Sequence, residues 1–196
     1  MARLLYIKAN PKVYQESLTY CLSETFIKEY QQAHPKDDIE VLDLYQTIMP
    51  IMDYERLAAY SQGVETEIKQ MAMHFKSYDK CVIAAPVWNH SFPSMLKVYL
   101  DNIVYRHVTF TYQEGKMMGL CSDMKVMYIA SSAQVYEGDR KGFDHNQSQI
   151  RAIFDLIGVK QVECVGLFGR SRFNTDQLNQ EVEKLQRVLA KKAQTF

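Results

Sequence analysis

The stretch AAPVWNHSFP at residues 84–93 places an aromatic ring, an amide and an imidazole between two prolines. Trp88 can stack on a planar ligand, while Asn89 and nearby backbone amides can hydrogen-bond its polar edge. His90 can carry a proton, although a lone histidine is more often a satisfied polar residue. The stretch is therefore a candidate wall for a flat heteroaromatic ligand. The alternative is a core tryptophan at the end of a strand.

A second polar segment, Lys8 to Ser17, follows the first apolar run of the chain. Asn10, Gln15 and Ser17 can donate side-chain hydrogen bonds, and Lys12 adds a positive charge. A helix that begins after this segment presents free backbone amides and a positive dipole end, which favour a phosphate group. The alternative is that Ser17 only caps that helix. The chain has neither G-x-G-x-x-G nor G-x-x-x-x-G-K-[ST], so a dinucleotide fingerprint or a P-loop is not expected.

A third polar segment begins with the hydroxyls of Ser131 and Ser132 and the amide of Gln134. These groups can meet the heteroatoms of a ring system, and the alternative is an ordinary polar loop. One of the three segments suits a phosphate and the other two suit a flat heterocycle. If the fold brings them together, flavin mononucleotide (FMN) has the required shape.

The elements around these segments alternate between short apolar runs and longer amphipathic runs. We predict five strands of the main sheet, at Leu4–Ile7, Ile39–Leu44, Cys81–Ala85, Lys125–Ala130 and Val159–Phe168. We predict helices at 17–32, at 54–78 in one piece or in two that divide at Gln62-Gly63, from Pro93 to Val104, at 144–157 before a C′ glycine at Gly158, and from a cap at Thr175 to Ala193. Residues 108–115 read as a short extended excursion that ends in a turn.

This β-α-β-α order predicts an α/β fold with a parallel sheet covered by helices on both faces. Five strands of this kind fit the flavodoxin-like doubly wound order 2-1-3-4-5, and we expect residues 1–196 to form a single FMN-binding domain. In such a sheet, ligands bind beyond the carboxyl ends of the strands, near the switch in strand order. All three polar segments follow predicted strands, so we expect them to lie at that edge.

Composition limits the partners and the compartment. The 196 residues suit one domain with a sizeable core, and 23 basic against 23 acidic residues argue against a general nucleic-acid binder. No stretch approaches the length of apolar sequence that spans a bilayer, and the N-terminus does not read as a signal peptide, so we expect a cytoplasmic protein without a membrane partner. We expect no metal site, and reduced thiols at the four scattered cysteines, Cys21, Cys81, Cys121 and Cys164.

The segment APVWNHSFPSMLKVYLDNI resembles the P-M-W-N-x-S-F-P-x-M-L-K-x-Y-[IL]-D segment of FMN-dependent NADH azoreductases, which are flavodoxin-like quinone reductases. KANPK near the N-terminus, VTFTYQEG at 108–115 and the placement of Tyr136 are similar to that family as well. The resemblance covers almost the whole chain. It implies a homodimer in which NADH or NADPH reduces FMN, and the flavin then reduces a quinone or an azo compound.

The same resemblance implies the site residues. Those expected to bind FMN are Asn10, Gln15, Glu16 and Ser17 at the phosphate, Pro86, Val87, Trp88, Asn89 and His90 beside the ring, and Ser131, Ser132, Ala133, Gln134 and Tyr136 at a second flavin loop. Those expected in a partner-facing substrate pocket are Tyr105, Phe110 and Tyr112. No catalytic side chain is expected, because the flavin carries the chemistry.

Two departures from the family pattern support a second hypothesis. Glu16 places a carboxylate near the phosphate, and the second flavin loop has Ser132-Ala133-Gln134 where the family commonly has Arg-Gly-Gly. Glycine lets a backbone approach a ring closely or adopt a positive φ, which alanine and glutamine obstruct. The alternative is therefore a flavodoxin-like dimeric binding or regulatory protein with weakened flavin binding and little turnover. A hydrolase is less expected, because the chain has no G-x-S-x-G elbow.

Overall fold

The computed structural model describes the backbone of residues 1–196 and the side chains of residues 1–139 and 142–196. Its strands are β1 (Arg3–Lys8), β2 (Asp38–Asp43), β3 (Lys80–Pro86), β4 (Phe110–Gln113), β5 (Lys116–Gly119), β6 (Lys125–Ser131) and β7 (Gln161–Leu167). Its α-helices are α1 (Leu18–Ala33), α2 (Tyr54–Ser61), α3 (Glu67–Lys76), α4 (Ser94–Ile103), α5 (Asn146–Leu156) and α6 (Thr175–Thr195). Short 3-10 helices lie at Tyr14–Glu16, Gly138–Phe143 and Arg170–Arg172.

Five parallel strands form the main sheet, in the order β2-β1-β3-β6-β7. The other two strands, β4 and β5, form a separate antiparallel hairpin. The prediction of a flavodoxin-like parallel sheet is confirmed, but the predicted numbering 2-1-3-4-5 is not matched, because the hairpin lies between the third and fourth strands of the sheet. The sequence predicted the turn of this hairpin but not β5. This strand has only 4 residues, and most of them are exposed.

Helices cover both faces of the sheet, and two apolar clusters result. On one face, Leu5 and Ile7 of β1 pack in a cluster with Phe75 of α3, Tyr99 of α4 and Phe154 of α5. The intervening residues of the strand point to the other face, where Leu4 and Tyr6 pack with side chains of α1 and α6, including Phe26 and Leu189. Because β1, β3 and β6 are buried on both faces, their sequences are nearly continuous apolar runs.

Two local predictions about helix ends are confirmed. The helical region 54–78 divides into α2 and α3, with Gly63 at φ 71° after the end of α2. Helix α5 ends at Leu156, and Gly158, which follows the C-cap Ile157, has φ 93°. The amide of Gly158 donates to the Asp155 carbonyl at 2.9 Å and that of Val159 to the Phe154 carbonyl at 2.9 Å, which is the Schellman arrangement.

Two other predictions about helix starts were wrong by one residue. The cap of α6 is Asn174 rather than Thr175: its side chain accepts from the Gln177 amide, and the Gln177 side chain accepts from the Asn174 amide. This reciprocal capping box favours the asparagine, because it satisfies two backbone donors at once. Pro93 precedes the first residue of α4, Ser94, instead of lying inside the helix.

All four cysteines are free thiols, as predicted. Cys81 and Cys121 are buried, and burial raises the pKa of the Cys121 thiol to about 11. Among the described residues, no group of three or more His, Cys, Asp or Glu side chains is placed to hold a metal ion. None of the described helices combines the length and apolar character that crossing a membrane requires.

A close backbone contact attaches the hairpin to α5 and gives a first prediction. A Cβ atom on Gly119 of β5 would fall well inside van der Waals distance of the Gly158 backbone. We expect Gly119→Ala to lower the free energy of unfolding by about 2 kcal/mol or more, because neither backbone segment can yield easily. Urea denaturation measures this. The matched control is Gly142→Ala, where the added methyl group would meet no atom of the described residues within 4 Å. Equal stability losses in both variants would contradict the prediction.

Candidate functional site

A cleft opens at the carboxyl ends of β1, β3 and β6, where the strand order switches direction. We call its two parts the polar end and the aromatic end. The polar end is a cavity of about 190 Å³ lined by Asn10, Lys12, Glu16, Ser17, Leu18, Thr19, Pro86, Val87, Trp88, Ser131, Ser132, Ala133 and Arg170. The aromatic end is a cavity of about 380 Å³ lined by Val87, Trp88, Asn89, His90, Ser132, Ala133, Gln134 and Tyr136. The two share four residues and are therefore continuous.

The start of α1 forms one wall of the polar end. Ser17 caps the helix, and its Oγ accepts from the Tyr20 amide at 3.1 Å and from Asn10 Nδ2 at 2.8 Å. Ser17 is thus confirmed as a helix cap, and whether it also binds a ligand stays a prediction. The next two amides, of Leu18 and Thr19, are among those that a helix leaves without an internal acceptor. Capping by Ser17 therefore leaves backbone amides at the same helix start that could hold an anion.

Asn10 holds the loop before α1 in place through hydrogen bonds of its backbone and its side chain. Its backbone amide donates to Tyr20 Oη at 3.1 Å, and the Tyr20 hydroxyl donates to the Asn10 carbonyl at 2.6 Å. Its Oδ1 accepts from the Lys12 amide at 3.1 Å. Burial raises the pKa of Tyr20 to about 12, so the hydroxyl remains a donor at neutral pH. Sequence reasoning did not identify Tyr20, whose position in α1 gives no sign that its hydroxyl holds a loop.

Thr19 and Arg170 also line the polar end and were not predicted. Thr19 Oγ1 and Ser131 Oγ lie 2.7 Å apart, which joins the first turn of α1 to the end of β6. Arg170 comes from the loop after β7, whereas sequence reasoning considered only the loops after the first, third and fourth strands of the sheet. A cation two residues beyond the predicted strand Val159–Phe168 was the signal available in the sequence.

A tight turn at the end of β3 holds the aromatic end. Trp88 and Ser91 exchange two backbone hydrogen bonds, at 2.7 and 3.0 Å, around Asn89 and His90. Both central residues have positive φ, 50° and 69°, as a two-residue hairpin turn of this type requires. Ser91 Oγ donates to Gln149 Oε1 of α5 at 2.9 Å, which attaches the turn to that helix.

Trp88 faces the cleft and is not a core residue. Its side chain is 41% exposed, so the alternative of a core tryptophan is wrong. The imidazole of His90 lies against two other rings, with centroids 5.8 Å from Tyr136 and 5.7 Å from Phe143. His90 Nδ1 is buried and has no hydrogen-bond partner in the described part of the chain. Three aromatic side chains, those of Trp88, His90 and Tyr136, therefore line this end of the cleft.

The loop after β6 is attached to the segment after β7. The Ser132 carbonyl accepts from the Arg170 amide at 3.0 Å, and the Ala133 carbonyl accepts from the Ser171 amide at 3.2 Å and from Ser171 Oγ at 2.7 Å. Neither Ala133 nor Gln134 is among the residues with positive φ. This backbone path therefore does not need glycine, and the obstruction expected from alanine and glutamine does not arise through φ.

The structure brings most of the predicted flavin residues together, and four predicted residues lie elsewhere. Gln15 is exposed on the 3-10 helix before α1 and lines neither end of the cleft. Tyr105 lines a separate cavity of about 690 Å³ beyond the C-terminus of α4, where its ring packs 4.7 Å from that of Tyr60. Phe110 is buried and Tyr112 is half exposed, with ring centroids 5.9 Å apart on the hairpin. Within one chain, these three aromatic residues do not form a pocket at the cleft.

A doubly wound parallel sheet, with a cleft at its switch point that joins a helix start to an aromatic wall, defines a flavodoxin-like protein. A family model described as flavodoxin-like fold, Flavodoxin_2, matches residues 2–190, and the chain belongs to this family. The chain is 37% identical over 164 residues to an FMN-dependent NADH:quinone oxidoreductase 2 of Clostridium acetobutylicum, which covers 81% of this chain and 82% of that protein. It is 35% identical over 192 residues to an FMN-dependent NADH:quinone oxidoreductase of Coprothermobacter proteolyticus, with 94% and 92% covered.

Solved structures give the same result. An azoreductase from Bacillus anthracis str. Sterne is similar with a TM-score of 0.92 and 25% identity, over 100% of both chains. An FMN-dependent NADH-azoreductase from Bacillus anthracis str. Ames Ancestor, solved in complex with FMN, is similar with a TM-score of 0.86 and 26% identity, over 98% of this chain and 100% of that one. The predicted resemblance to FMN-dependent NADH azoreductases is confirmed.

The bonds between Tyr20 and Asn10 give a second prediction. We expect Tyr20→Phe to lower the free energy of unfolding by about 1–3 kcal/mol, because the amide and carbonyl of Asn10 lose their buried partner. Chemical denaturation followed by circular dichroism measures this. Tyr14→Phe is the control, since Tyr14 is half exposed and its hydroxyl makes no hydrogen bond among the described residues. If Tyr20→Phe were as stable as the control, the two bonds would not hold the loop.

Proposed function

We propose that the chain binds FMN in the cleft and acts as an FMN-dependent oxidoreductase that passes a hydride from NADH, through the flavin, to quinones and azo compounds. One observation carries this proposal: a single cleft joins unpaired helix amides and cationic side chains to an aromatic wall. That arrangement suits a ligand with a phosphate at one end and a flat ring at the other. The names of the relatives support the same cofactor, donor and acceptors.

The residues of the cleft fit FMN at both ends. At the polar end, the amides of Leu18 and Thr19 and the hydroxyl of Ser17 would hold the phosphate. At the aromatic end, Trp88 would cover the ring, and Asn89 would bond its polar edge. When bound, FMN supplies acceptance of a hydride and delivery of two electrons; the chain supplies binding, orientation and electrostatics.

The predicted FMN-binding residues, from Asn10 to Tyr136, remain a proposal, and the cleft supports all of them except Gln15. We assign no side chain a nucleophilic or obligatory acid–base role. Backbone amides at the aromatic end, such as that of Ala133, would stabilise negative charge on a reduced ring. The family match over residues 2–190 supports one FMN-binding domain that spans residues 1–196. The cytoplasmic location expected from the sequence stays a prediction.

The alternative, a binding protein with weak flavin affinity, receives little support from the second flavin loop. Ala133 and Gln134 occupy ordinary backbone conformations, and Gln134 lines the aromatic end rather than closing the polar end. Glu16 is the feature that still argues for weakened binding, because its carboxylate lines the polar end.

We further propose a homodimer, on the family resemblance and on the surface around α2. Large apolar residues are exposed here over residues 48–64, and exposed apolar patches mark interaction sites. They are Ile48 (96% exposed), Ile51 (65%), Met52 (40%), Tyr54 (86%), Leu57 (51%) and Val64 (51%). A second copy covering this surface would also allow Tyr105, Phe110 and Tyr112 to serve a pocket in the assembly that they do not form within one chain.

Trp88 is the only tryptophan, so its fluorescence reports on the cleft alone. We expect FMN to quench most of this emission with saturation, and the loaded protein to oxidise NADH when 1,4-benzoquinone is present. Trp88→Ala should weaken FMN binding by about tenfold or more, measured by quenching of flavin fluorescence, because stacking area is lost. Trp88→Phe should retain most of the affinity. A lack of quenching by FMN, together with a lack of NADH oxidation, would refute the proposal.

The homodimer is tested by mass in solution. We expect light scattering after size exclusion to give twice the chain mass of 22.8 kDa for the wild type and the single mass for Leu57→Glu, because an uncompensated carboxylate would be buried at the contact. Val188→Glu is the control, since Val188 is similarly exposed, at 42%, on α6. A wild-type monomer, or dissociation by Val188→Glu alone, would contradict this interface.

A further inference from the structure

Charged side chains are confined to one end of the cleft. Lys12, Glu16 and Arg170 line the polar end. The aromatic end has no Asp, Glu, Lys or Arg among its described lining residues. The two ends of the cleft therefore differ in charge. Two cations and one anion lie at the end where α1 starts, and the other end is lined by uncharged residues.

The loop before α1 offers a phosphate fewer favourable contacts than its position at a helix start suggests. Glu16 is the last residue of the 3-10 helix Tyr14–Glu16, directly before the cap of α1, so its carboxylate would repel a dianion. Ser17 is the only serine of residues 8–17. Its Oγ already accepts two hydrogen bonds, which leaves a single hydroxyl donor for a ligand. Lys12 of the same loop supplies one positive charge, which offsets Glu16. A phosphate dianion at this end would therefore gain from a second cation contributed by another element.

Arg170 is held where it can supply that charge. The preceding residue, Gly169, has φ 79°, and a Cβ atom there would lie 2.6 Å from Val135 Cγ2, so the turn that presents Arg170 requires glycine. The Arg170 amide donates to the Ser132 carbonyl at 3.0 Å and fixes the backbone against the second flavin loop. The backbone of Arg170 is thus anchored, and the residue lines the polar end, so its side chain can supply the charge.

The guanidinium of Arg170 is also uncommitted. It forms no ion pair within the described residues, whereas Arg172 of the same 3-10 helix is paired with Glu137 at 3.1 Å. Lys12 has no ion pair among them either, but an arginine presents a planar fork of donors that matches a phosphate group, which a lysine does not.

We propose that Arg170 binds the phosphate of the flavin and, by offsetting Glu16, makes the chain select FMN over riboflavin. The inference rests on the proposed function, and it assigns the discrimination between the two flavins to a residue outside the helix-start loop. Riboflavin has the same ring without the phosphate, so it can occupy the aromatic end but gains nothing from Arg170.

The test compares dissociation constants of FMN and riboflavin, measured by quenching of Trp88 emission, in four proteins. Relative to wild type, Arg170→Gln should bind FMN about tenfold more weakly or worse and riboflavin within about twofold. Glu16→Gln should bind FMN about twofold to tenfold more tightly, with riboflavin unchanged. Arg172→Gln is the matched control and should change neither. Added salt should reduce the difference between wild type and Arg170→Gln for FMN.

Other outcomes overturn the inference in distinct ways. Equal wild-type affinity for FMN and riboflavin, or equal losses in Arg170→Gln and Arg172→Gln, would remove Arg170 from the phosphate site while leaving the proposed function intact. Loss of both flavins in Arg170→Gln, with an unfolding midpoint below that of Arg172→Gln, would make Arg170 a structural residue. Wild-type protein that binds neither flavin would overturn the proposed function, and this inference with it.

Discussion

The geometry of the cleft depends on where α1 begins and on which backbone amides the cap of that helix leaves without a hydrogen-bond partner. Ser17 Oγ accepts hydrogen bonds from the Tyr20 amide and from the Asn10 side chain. The Tyr20 hydroxyl in turn hydrogen-bonds to both the amide and the carbonyl of Asn10. These bonds close the loop on itself. The donors that it still offers to the cleft include the amides at the helix start, the Ser17 hydroxyl and the Lys12 ammonium. A site made from backbone amides in this way needs no acidic or basic side chain in α1 itself, and the helix dipole adds to it.

The sheet brings this helix start to the other two loops. Backbone pairing continues one residue beyond the strands: the Ala9 amide donates to the Ala84 carbonyl at 2.9 Å, and the Val87 amide donates to the Ser131 carbonyl at 2.8 Å. The contact between Thr19 and Ser131 then joins α1 to β6 directly. Because β1, β3 and β6 are covered by helices on both faces, their ends cannot shift independently, and the loops inherit the rigidity of the sheet. An anchored cleft of this kind is typical of sites at the switch in strand order.

The sequence predicted what depends on local pattern and on the general geometry of parallel sheets. Strands buried on two faces read as apolar runs, and the strand-end rule selected the loops that contain Asn10, Trp88 and Ser132. What it did not predict depends on contacts between distant segments. Strand β5 exists because it pairs with β4 and packs its glycine against the Gly158 backbone. Asn174 and Thr175 are both good cap residues, and only the bonds with Gln177 select the first.

Arg170 shows most clearly how such a rule can omit a residue that lines the cleft. The rule considers loops beside the switch point, yet β7 lies at the edge of the sheet, and its loop reaches the cleft only because the carbonyls of Ser132 and Ala133 accept bonds from Arg170 and Ser171. The family's arginine is missing from the second flavin loop, and here the loop that bonds to its backbone contributes an arginine to the other end of the same cleft. The charge around this cleft therefore depends on which loops lie next to each other in the fold, and cannot be read from a single sequence motif. The electrostatic balance around a phosphate has to be judged over all the loops that meet there, because at an effective dielectric constant of about 20 two unit charges 4 Å apart still interact by about 4 kcal/mol.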